Sequence, residues 1–207
     1  FKLEGLPRTI VLIEAATRSD PKVRIAAACA LAKTRDSAAA DVALPILMSA
    51  LHEMGVPAHW MVAGPVLRAI GCLPNGGEAA VPMIARHLAS SMNGMTAAEA
   101  LARLGRPGRA VLFDSLQGDE IAGTVMWGFH PLGTAAVEPL MTGLQDPREN
   151  VRRHCASALC LLPERAIGAI GVLREVLRSD SPRVRRVARR AVWGILKAVR
   201  RRRRARP

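Results

Sequence analysis

Two kinds of residue in this chain have the types and spacing for chemistry. The first kind is ligand-like. His52 and Glu53, followed by His59, offer imidazole and carboxylate close together. A mononuclear metal site needs a third ligand and an open position. This stretch provides neither, so the expectation is a helix end and a loop with no metal. Cys29, Cys72, Cys155 and Cys160 form no CxxC pair and no Cys/His metal spacing. They stand among Ala and Leu, as small buried hydrophobes of a reducing compartment do. Asp114 and His130 have no serine or cysteine nucleophile arranged with them. The glycine-rich GCLPNGG lacks the Lys-Ser/Thr of a phosphate loop. No catalytic residue and no cofactor follows from these residues.

The second kind is arginine. The formal net charge is +13, and it is unevenly placed. Residues 1–180 hold 18 Lys/Arg against 17 Asp/Glu, whereas residues 181–207 hold 12 Lys/Arg and no acid. The candidate anion-binding set is Arg183, Arg186, Arg189, Arg190, Lys197, Arg200, Arg201, Arg202, Arg203 and Arg204. Such a cluster can neutralise phosphates without reading sequence. It can also meet an anionic membrane surface, or form the solvated outer face of a terminal repeat. Trp193 lies three or four positions from Arg189, Arg190 and Lys197, so its ring is expected among cations, an interaction of about 0.5–1 kcal/mol when exposed.

These residues need a scaffold, and composition indicates which kind. The chain is 50% hydrophobic but 3% aromatic, with no Tyr. A core of Ala, Leu, Val and Ile suits closely packed helices. No apolar run approaches the ~18 residues of a membrane span; IGAIGVL, for example, lies between Arg165 and Arg174. The first residues show no secretory leader pattern. Phe1 stands first, so FKLEGL reads as the cut edge of a longer protein, expected in the cytoplasm.

Three stretches repeat: DPKVRIAAACAL from Asp20, DPRENVRRHCASAL from Asp146 and DSPRVRRVARRAV from Asp180. Val23, Ala27, Ala30 and Leu31 align with Val151, Cys155, Ala158 and Leu159, and with Val184, Ala188, Ala191 and Val192. These offsets mark one helical face. Asp ahead of each helix is expected to cap it, with Pro in the first turn. VALPILMSAL, AAVPMIARHL and AAVEPLMTGL form a second recurring element, carrying Pro45, Pro82 and Pro139, and are expected to start or kink there. Pro65 is expected to interrupt a second helix. Turns such as PNGG (74–77), GRPG (105–108) and QGDE (117–120) divide the chain. Six helix pairs result, over 7–35, 38–73, 76–105, 107–132, 134–162 and 163–199. One solenoid is expected over 1–199, with a basic tail over 200–207.

On these Asp-Pro, Val-Arg and Ala-Leu patterns, the chain resembles the HEAT-repeat proteins of short-unit bacterial type, related to the phycobilin-lyase repeats. The resemblance implies an all-α, right-handed solenoid. It implies that Asp20, Asp146 and Asp180, with Arg24, Arg152 and Arg185, form a structural ladder of side-chain bonds between neighbouring turns. It implies a non-enzymatic scaffold binding a protein partner along its concave face. Two alternatives accompany it: nucleic-acid binding without sequence preference through the basic C-terminal helix and tail, and a lyase-like or regulatory enzyme subunit. HEAT-like hydroxylases use several His-Glu pairs, and this chain has one. HEAT-like DNA glycosylases combine a basic face with aromatic residues and an acid. Here Trp60, Trp127 and Trp193 fall on second helices and Asp114, Asp119 and Glu120 stand near one of them, but the body is close to neutral.

Overall fold

The computed structural model describes residues 8–17, 20–54, 60–74, 77–178 and 181–205. The chain is all-α, and among the described residues no strand is present. Its contacts gather into two compact units, residues 1–108 and 109–207.

The first unit holds α1 (Arg8–Ala16), α2 (Pro21–Leu31), α3 (Ser37–Met54), α4 (Trp60–Ile70), α5 (Val81–Ala85) and α6 (Gly94–Arg103). Asp20 Oδ1 accepts from the Lys22 amide at 2.8 Å and Pro21 opens the helix, so α2 begins as the Asp-Pro pair predicts. Consecutive helices pair as α1 with α2, α3 with α4 and α5 with α6. The second helices then stack, α2 on α4 and α4 on α6. Buried Ala27, Ala28, Ala63, Ala69, Ala97 and Ala100 let these backbones approach, and Leu31, Leu67, Ile70 and Leu101 fill the space between them. Pro82 sits in the first turn of α5, as expected. Pro45 and Pro65 instead lie inside continuous helices. Pro65 is in the sixth position of α4, where it removes the bond an amide would give to the Met61 carbonyl, yet the helix continues to Ile70.

GRPG, read from sequence as a turn, is the start of α7 (Gly105–Ser115). The reversal is concentrated in Gly105, whose φ of 72° lies in the left-handed region open to glycine. Gly108 then passes directly over the Leu101 carbonyl, where an added Cβ would come within 2.8 Å of the Leu101 carbonyl carbon.

The second unit continues from Arg109 with α8 (Ala122–Phe129), α9 (Val137–Gly143), α10 (Glu149–Cys160), α11 (Ile170–Val176) and α12 (Pro182–Arg204). Short 3-10 turns at His130–Ala136 and Ala166–Ala169 lead into α9 and α11. Pairing again joins α9 with α10 and α11 with α12, while the second helices stack, α10 between α8 and α12. One register runs through this row. Ala122, Cys155 and Ala188 are buried, as are Val125, Ala158 and Ala191, and Phe129, Leu162 and Ile195. Each triplet is spaced by 33 residues, on three successive second helices except that Leu162 lies just beyond the end of α10. Val151 and Val184 are likewise fully buried, whereas Val23, aligned with them from sequence, is 40% exposed. The reason is positional. Val151 and Val184 lie on helices that pack against a preceding second helix, and no described second helix precedes α2.

Candidate nucleic-acid interface

α12 is the element that carries the cations. Ser181 caps it, its Oγ accepting from the Val184 amide at 3.4 Å while donating to Glu149 Oε1 at 2.6 Å, and Pro182 fixes the first turn. Asp180, predicted from sequence to cap, lies outside the described residues. Val184, Ala188, Ala191 and Ile195 form a stripe buried against α10 and α11. The helix does not stop at 199, where the sequence reading places the start of a tail. It runs on through Arg200–Arg204 without a break, about 35 Å in all at 1.5 Å per residue.

The side of α12 opposite the buried stripe is cationic. Arg183, Arg186, Arg189, Arg190, Lys197, Arg200, Arg201, Arg202, Arg203 and Arg204 are all exposed. Helical spacing sets Trp193 on the midline of this side, with Arg186, Arg189 and Arg200 in neighbouring turns. Trp193 is 64% exposed, and the Lys197 Nζ lies 4.7 Å from its ring centroid, the cation–π contact predicted from spacing. Arg202, on the line of the buried stripe but about two turns beyond Ile195, reaches back to Glu164 at 3.2 Å.

The loops of the second unit are tied by a ladder of polar bonds between residues 32 to 35 apart. Arg148 is its centre: its Nε donates to Asp146 Oδ1 at 2.8 Å and its NH1 to Asp114 at 2.5 Å. The guanidinium holds the Asp146 carboxyl below the usual carboxylate range, and the two carboxylates keep Arg148 protonated. Asn150 donates to the Gln117 carbonyl at 2.6 Å. Arg153 pairs with Asp119, whose Oδ1 also lies 2.9 Å from His154 Nε2. Those hydrogen bonds lower the Asp119 pKa, while burial pulls the His154 imidazole below its usual value.

Asp180, one of the ladder residues named from sequence, lies outside the described residues. Asp146 takes Arg148 rather than Arg152, and the Arg152 guanidinium donates to the Asp146 and Pro147 carbonyls, both at 2.7 Å. Asp146 stands two residues ahead of the α10 cap position, which Arg148 occupies. Asp20 caps α2 locally, Arg24 lines a cleft between α2 and α3, and Arg185 is half-buried on α12. The bridging role of Arg148 is hidden in the sequence because the aligned Val-Arg pair points to Arg152 instead. The signal for it is the Asp-Pro-Arg order, which puts a guanidinium within reach of its own Asx turn.

The ligand-like residues do not converge. Glu53 accepts from Ser49 Oγ at 2.7 Å along α3, and His59 lies outside the described residues. Asp114 is held by Arg148, while His130 instead packs by Trp127, ring centroids 5.6 Å apart. Cys155 is fully buried and the other three cysteines are half-buried; burial pushes up the thiol pKa of Cys29, Cys155 and Cys160. Among the described residues, no three His, Cys, Asp or Glu side chains gather in a group fit for a metal ion, and no helix is long and apolar enough to cross a membrane.

No family profile matches the chain, and no curated protein matches it. Among solved structures, it is similar to an engineered protein, with 19% identity over 93% of this chain and 98% of that one, at a TM-score of 0.42. It is similar to the complex of CpcE and CpcF of phycocyanin lyase from Nostoc sp. PCC7120, with 24% identity over 91% and 77%, at 0.44. It is similar to a designed armadillo repeat protein in complex with the peptide (KR)4, with 15% identity over 91% and 100%, at 0.38. These are loose likenesses of fold. The helical-repeat assignment rests on the paired and stacked helices of each unit.

Proposed function

We propose that this chain is a helical-repeat scaffold that binds nucleic acid without sequence preference through the outward side of α12. One observation carries the reading: the apolar stripe of α12 is occupied by α10 and α11, which leaves an acid-free cationic side facing solvent. A capping helix needs a polar outer side, but solubility is served equally by mixed charge. A single sign attracts a polyanion. The membrane alternative is disfavoured by the same packing. An interfacial helix inserts its apolar face into lipid, and here that face is already covered.

Titration of labelled DNA at several salt concentrations tests this. The wild type is expected to bind with log K falling linearly in log salt, and Arg186→Ala/Arg189→Ala/Arg190→Ala/Arg200→Ala to bind weakly with a shallower slope. Equal slopes for both proteins would refute the reading. Vesicles of anionic lipid serve as the comparison arm and are expected to bind less.

A second reading, a protein partner, has its own observation. In the first unit a cleft between α2 and α3 is lined by Pro21, Ile25, Pro45 and Ile46, together with Arg24 and Glu53. If a protein docks there, Ile25→Asp/Ile46→Asp abolishes that complex and leaves DNA binding unchanged.

A further inference from the structure

The nucleic-acid reading accounts for the arginines of α12 but not for two large apolar side chains on the same unit. Trp127 on α8 is 46% exposed and Trp193 on α12 is 64% exposed. The register buries one face of this row, and the two indoles hold positions on the opposite, open face. The register also relates them. Counting one repeat on from Trp127 reaches Cys160 on α10, and one more reaches Trp193, the same step that links the buried triplets. The three residues therefore hold one position on three successive second helices. With interaxial distances of about 8–10 Å, the axes of α8 and α12, which carry the two indoles, are about 16–20 Å apart across α10.

Each indole is steadied without being covered. The His130 ring lies tilted against Trp127, and the Lys197 ammonium lies over Trp193. Between them Cys160 is half-buried, and Arg190 of α12 lies near enough to lower its pKa against the effect of burial. Arg153 and Ser157, on the open side of α10, are also half-buried. Asp119, a carboxylate beside this row, is held by Arg153 and His154. Aromatic faces at intervals, leading to a line of cations along α12, suit an unpaired strand, because every exposed base has a π-face and every linkage a negative charge. A duplex keeps its bases stacked inside and gains nothing from the indoles.

We propose that Trp127 and Trp193 are stacking platforms of a single-stranded nucleic-acid track crossing α8, α10 and α12, with the cations of α12 holding the phosphates. This deepens the reading above and depends on it.

The test measures anisotropy of labelled oligothymidylate and of a duplex of equal length, with poly-glutamate as a competitor. Trp127→Ala and Trp193→Ala are each expected to weaken oligothymidylate binding about 5- to 100-fold. Duplex binding and the salt slope should not change, and Trp193→Phe should restore most of the affinity. Poly-glutamate should compete weakly and equally against wild type and the Trp variants. Both indoles are exposed, so circular dichroism melts should match the wild type and separate a stacking defect from a folding defect. Trp variants that bind oligothymidylate like the wild type would overturn the track while leaving the charge reading standing. A wild type that binds no nucleic acid would overturn both. Preferential binding of poly-glutamate would assign the surface to an acidic protein segment and also overturn the track.

Discussion

Leu159 shows what a single side chain contributes here. It is fully buried near the end of α10, the helix that touches both α8 and α12. Leu159→Ala removes its burial and leaves a cavity between tightly packed Ala-rich helices. The expected cost is about 2–5 kcal/mol, measured as the shift in urea midpoint at constant slope. A cost below about 1 kcal/mol would mean that the helices close over the gap. The alignment of Leu159 with Leu31 and Val192 is legible in sequence because the offsets of a helical face are fixed. The exposure of Val23 is not, because burial depends on whether a neighbour exists and not on the residue itself. The same limit applies to Arg148: its type and spacing are in view, but the carboxylate of Asp114 comes from another helix.

At the scale of elements, the Asp-Pro pair locates the start of α2, and the helical periods mark α10 and α12, which begin at Glu149 and Pro182. Turns are harder. GRPG contains two glycines and a proline and reads as a loop, yet all four residues belong to α7, and only Gly105 makes the reversal. Gly108 is there for space. Its missing Cβ lets the chain at Gly108 pass over the Leu101 carbonyl, a backbone group that cannot swing aside. Gly108→Ala should therefore destabilise by about 1–3 kcal/mol through overpacking, despite the better helix propensity of Ala, and a thermal melt checks the sign. The candidate interface is legible in part. The arginines announce themselves by composition, but that their helix continues to Arg204 and turns its apolar side inward depends on packing against α10 and α11.

For the whole molecule, the charge is concentrated at one end while the remaining residues are nearly neutral. Deleting residues 200–207 tests whether that end serves folding. Among the described residues, the ion pair this deletion removes is the exposed one between Arg202 and Glu164, and such pairs contribute about 0–1 kcal/mol. The melting temperature should move by no more than a few degrees. The salt dependence of oligothymidylate binding should become shallower by about 0.7 for each phosphate that is no longer neutralised. A large drop in melting temperature would show that the last turns of α12 support the unit.

The division of α12 into a covered side and an open one has an evolutionary and a practical reading. Positions 184, 188, 191 and 195 answer to packing, while positions 186, 189, 190, 193, 197 and 200 answer to whatever arrives from solvent. Changes in one set leave the other nearly untouched, since surface substitutions away from buried features are close to neutral for stability. Selection can thus retune affinity by adding or removing single arginines without endangering the fold. An engineer can do the same, grafting a new recognition surface onto six open positions of a helix whose other side keeps it in place.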